Sequence, residues 1–270
     1  MTGMVVDQMG RSVVVPKYPK RIISLVPSQT ELLYTLGLDQ SMVGITKFCV
    51  HPKKWFQNKT RIGGTKNINF DLIHLLQPDL IIGNKEENSR QDIEVLSQRY
   101  PVWMSDIFNL DDALQMIENI GSLTKTEIRS KEIINQITNA FTNLKPSNEI
   151  KQKVLYLIWK NPFIAAGRNT FINEMLEEAG FENYIQEQDS RYPEVDLNKL
   201  NKNKPDLIFL SSEPYPFKES HLRDFHQQIP TSLAILVDGE MFSWYGSRLV
   251  KAPQYFNNLQ RTIERLQSPN

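Results

Sequence analysis

The chain has 270 residues, 40% of them hydrophobic and 23% charged, which supplies ordinary globular cores and is too apolar for a disordered chain. Its 31 Lys and Arg balance 31 Asp and Glu, so no global basic field exists to draw nucleic acid or an anionic membrane. One cysteine, Cys49, excludes an internal disulfide and a multi-cysteine metal cluster, and apolar runs such as 80–82 and 233–237 are strand-sized and far short of a membrane span.

The opening residues, Met1 to Gln8, lack a basic segment followed by a long apolar stretch. No signal peptide is expected in the sequence as given, and a cytoplasmic location follows if this is the whole chain. The first predicted unit is a β-rich run at 21–26, broken by Pro27 and Ser28, then a helix at 30–36 stopped by Gly37. Next, Leu75-Leu76-Gln77-Pro78-Asp79-Leu80-Ile81-Ile82 reads as a helix end, a proline stop and a buried strand. A third strand, Val102-Trp103-Met104-Ser105, ends at Asp106. Residues 124–144 hold no glycine or proline, and Ile133, Ile137, Phe141 and Leu144 recur at helical spacing, so one long amphipathic helix is predicted, ended by Lys145-Pro146-Ser147-Asn148.

The second half then repeats the first. Residues 153–158 form a strand, a polar loop runs to Gly167, and a helix at 170–179 stops at Gly180. Lys204-Pro205-Asp206-Leu207-Ile208 answers the first Pro-Asp-Leu-Ile, and Ala234-Ile235-Leu236-Val237-Asp238 answers the strand ending in Asp106. Three matched units in order predict a duplicated α/β fold. Its parts are an N-terminal lobe over 1–120, a bridging helix over 121–149 and a C-terminal lobe over 150–270, closed by a helix from Pro253. Open parallel sheets bind ligands beyond the carboxyl ends of their strands, so a cleft between the lobes lined by strand-end loops is expected.

Those loops supply the candidate residues. Cys49 and His51 are one residue apart and in an extended loop would face one side, offering a thiolate and an imidazole to a metal centre. Alternatively Cys49 is a small buried hydrophobe and His51 a surface residue. Lys66 follows Gly63 and Gly64, where the backbone could approach an anion, and Glu86 stands in the polar run after Ile82. On the other lobe Trp159, Tyr215 and Phe217 follow strands. The loop after Val237 holds Trp244, Tyr245 and Arg248, suited to a flat ligand with a carboxylate, phosphate or amide rim. Cys49 paired with a histidine could also act as a nucleophile, but no nucleophile elbow, zincin helix, dinucleotide fingerprint or kinase set accompanies it, so no enzyme is expected.

Asp7-Gln8-Met9-Gly10-Arg11, Pro19-Lys20-Arg21-Ile22-Ile23-Ser24-Leu25, the Thr30-Glu31-Leu32-Leu33-Tyr34 helix and both Pro-Asp-Leu-Ile strands resemble the helical-backbone binding proteins of ABC importers for cobalamin, haem and ferric siderophores. The resemblance spans nearly the whole chain and is closest to the vitamin B12-binding members through 28–33, 162–167 and 180–184. It implies two Rossmann-like lobes, a monomer without a required cofactor, a periplasmic location, and a small metal chelate as ligand, with cobalamin or another corrinoid favoured over haem or a ferric siderophore. It also implies an acidic residue on each lobe that docks on an ABC permease. Asp71 fills the first position, whereas Asn198 stands at the second, with Glu194 and Asp196 beside it. A ligand-sensing module of the cytoplasm, keeping the fold without the importer, is the alternative.

Overall fold

The computed structural model describes residues 2–144, 151–186, 190–202 and 204–268. The expected stop of the bridging helix at 145–148 lies outside the described residues. The chain divides into two compact units. The first comprises Met1–Ile107, Asp111–Thr138 and Tyr245–Val250, and the second Phe108–Leu110, Asn139–Trp244 and Lys251–Asn270.

In chain order the first half contains β1 (Thr2–Val6), β2 (Ser12–Pro16), β3 (Ile22–Ser24), α1 (Pro27–Thr35), β4 (Met42–Ile45), α2 (Lys53–Asn58), β5 (Thr60–Arg61), α3 (Phe70–Leu76), β6 (Leu80–Asn84), α4 (Arg90–Ser97), β7 (Val102–Ser105), α5 (Leu110–Thr124) and α6 (Glu127–Thr142). The second half contains β8 (Lys153–Trp159), β9 (Ile164–Ala165), α7 (Phe171–Glu178), β10 (Glu182–Asn183), β11 (Leu207–Ser211), α8 (Glu219–Gln228), β12 (Leu233–Val237), α9 (Gly239–Ser243) and α10 (Ala252–Gln267).

The first unit holds a parallel sheet in the order β5-β4-β3-β6-β7, and the second a sheet in the order β10-β8-β11-β12, parallel along that path, with β9 antiparallel to β8. Set side by side, β4-β3-β6-β7 and β10-β8-β11-β12 are the same arrangement, so the repeat in the sequence is a repeat in topology. Strands β3, β6 and β11 are buried along their length, as parallel sheets require. The repeated Pro-Asp has a structural job. Asp79 accepts the amides of Lys20 and Arg21, tying β6 to the entry of β3, while Asp206 accepts the amide of Lys153 and ties β11 to the entry of β8.

A hairpin of β1 and β2 precedes the first sheet. Its turn is built by buried Asp7, which accepts the amides of Met9 and Arg11 and pairs with the Arg11 guanidinium at 2.7 Å, while Arg11 also donates to Val102 O. The helix expected over 124–144 begins at Glu127, because Lys125 adopts φ 59° and separates it from α5. Helix α6 buries the anticipated Ile133, Ile137 and Phe141, and the division between the units falls within it.

The sequence places Tyr245–Val250 in the second lobe, but these residues group with the first unit. There 247–250 forms a short 3-10 turn against α1, where Arg248 grips Glu31 with two hydrogen bonds of 2.9 and 2.8 Å. Gly246 permits this approach: it has φ 141°, and a Cβ there would lie 3.2 Å from Ser28 O.

Candidate functional site

In each sheet the first strand, β3 or β8, has the next parallel strand, β4 or β10, on one side and the later strand β6 or β11 on the other. Connections leave such a pair in opposite directions, which opens a crevice above their carboxyl ends. The loops after β3 and β6 in one unit, and after β8 and β11 in the other, are therefore the places to look for ligand contacts.

In the first unit the chain leaves β4 through Thr46, Lys47, Phe48, Cys49, Val50 and His51. Cys49 is fully buried, with Sγ 3.0 Å from Thr30 Oγ1 and 3.1 Å from Thr46 Oγ1. Burial pushes its thiol pKa up, so the thiolate needed for metal binding or nucleophilic attack is disfavoured. The expectation of Cys49 as a ligand or nucleophile is thus corrected to the small buried hydrophobe. Its neighbours take the outward positions: Phe48 is 51% and Val50 43% exposed. The Lys47 ammonium lies 5.1 Å from the Phe48 ring centre, and a Cβ on Gly64 would come within 3.2 Å of that ring, so Gly64 shapes the seat of Phe48.

His51 is half-buried, and among the described residues no group of three or more His, Cys, Asp or Glu could hold a metal ion. Lys66 is exposed on the neighbouring turn. Glu86 stands half-buried in a loop framed by two buried asparagines. Asn84 Oδ1 accepts the Glu86 amide, and Asn88 donates to Leu25 O and Thr65 O.

In the second unit Trp159 ends β8 and is 41% exposed. Tyr215 packs edge-on against it at 5.7 Å, held by its own amide, which donates to Ile158 O. Phe217, expected to contact ligand, is only 5% exposed and belongs to the core cluster with Leu210 and Phe225, so it supports Tyr215 from below at 4.8 Å. Sequence reasoning missed His221, in the first turn of α8, whose ring lies 5.7 Å from that of Tyr215. A histidine four residues beyond Phe217 on a helix-starting loop was the available signal.

The aromatic loop after β12 also differs from expectation. Trp244 and Tyr245 are each 6% exposed, and the Trp244 indole N–H donates to Glu213 Oε1 at 2.8 Å, an oxygen that also accepts from Ser243. Burial pushes the Glu213 carboxyl pKa up, although both hydrogen bonds favour its charged form. Arg248, read as a partner for a ligand's rim, is engaged with Glu31. These three side chains are packed into the fold and do not form an open aromatic face. Of the docking acids, Asp71 lies exposed in the first turn of α3, and Glu194, Asp196 and Asn198 are exposed before β11.

Comparison with known proteins identifies the class. Residues 22–231 match the periplasmic binding protein family, and the chain belongs to it. It is a binding protein and not an enzyme. The chain is 25% identical over 195 residues to the vitamin B12-binding protein of Vibrio parahaemolyticus, covering 71% of this chain and 70% of that one. It is 26% identical over 212 residues to an uncharacterized ABC transporter substrate-binding lipoprotein of Bacillus subtilis, covering 75% and 67%. The fold is that of the periplasmic vitamin B12 binding protein of Vibrio cholerae (TM-score 0.73, 19% identity, 93% and 100% covered) and of a periplasmic heme-binding protein from Roseiflexus (TM-score 0.75, 18%, 91% and 98%). No described helix is long and apolar enough to cross a membrane.

Proposed function

We propose that this protein captures a metal chelate, a corrinoid such as cobalamin in first place and haem or a ferric siderophore after it, for an ABC-type importer. The observation that carries the reading is the exposed Trp159 with the half-buried Tyr215 packed edge-on against it, at the crevice of the second sheet. In the first unit Phe48 is exposed in the loop after β4. A chelate brings its own metal ligands, which suits contacts made of aromatic rings and hydrogen-bond donors. Curated relatives at 22% to 25% identity named vitamin B12-binding proteins favour the corrinoid. Lys66, Glu86 and His51 are polar contacts in this proposal, and Asp71 with Glu194 are the docking acids, Glu194 standing in where Asn198 replaces the expected carboxylate.

Titration calorimetry of the full chain with cyanocobalamin, haemin and a ferric catecholate tests it. Saturable binding of cyanocobalamin, recovered chemically unchanged, is the expected result. Binding of none of the three would refute the proposal, and tight binding of haemin alone would move the ligand to haem.

A further inference from the structure

This inference rests on the chelate-binding reading and concerns how the second unit holds the chelate. A backbone amide can only donate, so the 2.9 Å bond from the Lys218 N–H to His221 Nδ1 makes Nδ1 the acceptor nitrogen. In the neutral ring the proton then resides on Nε2. Burial, with the Lys160 ammonium next in importance, holds the imidazole pKa below its ordinary range, which keeps this neutral form at pH 7. A nitrogen that binds a metal must present a lone pair, and Nε2 has none to present while Nδ1 caps α8. Nε2 can only donate.

Capping accounts for Nδ1 and leaves the Nε2–H over. Its neighbour is the Tyr215 hydroxyl at 3.5 Å, the outer limit of a hydrogen bond. Because Nε2 donates, the Tyr215 oxygen accepts in this contact and its own O–H is turned elsewhere. His221 and Tyr215 thus form a pair of donors beside the exposed Trp159, at the crevice where the order of the second sheet reverses. Charged groups surround them: Lys160, paired with Asp224 at 3.5 Å, and Lys218.

We propose that His221 is a specificity-determining contact of this site: its Nε2–H, with the Tyr215 hydroxyl, binds peripheral carboxylate or amide oxygens of the chelate and gives no ligand to the metal. The planar or apolar body of the chelate would lie on Trp159 and its oxygen-bearing rim on the two donors.

The test uses the full chain, its His221→Ala and His221→Asn variants, and cyanocobalamin and haemin as probes. The asparagine oxygen can still accept the Lys218 amide, so His221→Asn should melt near the wild type, which separates a lost contact from a lost cap. Both variants should bind the preferred probe about fivefold to tenfold more weakly, the worth of one hydrogen bond, with the visible spectrum of the bound chelate unchanged. An imidazole- or tyrosinate-ligated haemin spectrum in the wild type that disappears in His221→Ala or Tyr215→Phe would overturn the inference. So would wild-type affinity in His221→Asn, which would leave His221 a helix cap alone. A wild type that binds neither probe would overturn the chelate reading and this inference with it.

Discussion

Trp244 buries its ring and places its one polar atom against Glu213, an arrangement that fixes both side chains. Trp244→Ala should therefore lower stability by about 3 to 5 kcal/mol through the cavity it opens, read as a fall in melting temperature whether or not ligand is present. Glu213 adds a pH dependence. Its pKa in the folded chain is raised by burial. The stability it contributes is complete below the ordinary glutamate range and is lost as pH rises through the raised value. Glu213→Gln should remove this slope, so melts from about pH 4 to about pH 8 should show the wild type losing ground to the variant as pH rises. An unchanged difference across that range would contradict the assignment. These details were not legible in the sequence. The run from Phe48 to His51 showed its alternation but not its parity, because whether Cys49 or Phe48 faces inward depends on Thr30, which a different stretch of chain supplies.

At the scale of elements, the repeat was legible because the same local chemistry recurs: a helix stop, a proline, an aspartate and an apolar strand. The structure explains the aspartate, since Asp79 and Asp206 each accept amides at the entry of the neighbouring strand. Asp206→Ala and Asp79→Ala should each cost about 1 to 2 kcal/mol by leaving strand-entry amides without their carboxylate, measurable by urea denaturation; a loss at one site only would mean that the repeat is not energetically equivalent. The two-residue strands β5 and β10 gave no periodic signal to read. The break between α5 and α6 was hidden for another reason: Lys125 adopts a left-handed conformation without being glycine or asparagine. There Gly121 meets Ser130, where an added Cβ would lie 2.1 Å from Oγ. Gly121→Ala should destabilise the first unit by about 1 to 3 kcal/mol, the usual cost of overpacking, and a wild-type melting temperature would show that the contact yields.

For the whole molecule, fold class and family were readable because resemblance and repeat agree along nearly the full length, and the family match over 22–231 confirms them. Ligand contacts were less readable, since an aromatic residue on a strand-end loop looks alike in sequence whether it faces solvent, as Trp159 does, or the core, as Phe217 does. If the chelate lies on the aromatic face of the second unit, the exposed Trp159 carries much of the affinity. Calorimetric titration of cyanocobalamin into the wild type and Trp159→Ala tests this most directly. The expected result is one site per chain, with Trp159→Ala at least about tenfold weaker and melting as the wild type does. Wild-type affinity in Trp159→Ala would contradict it.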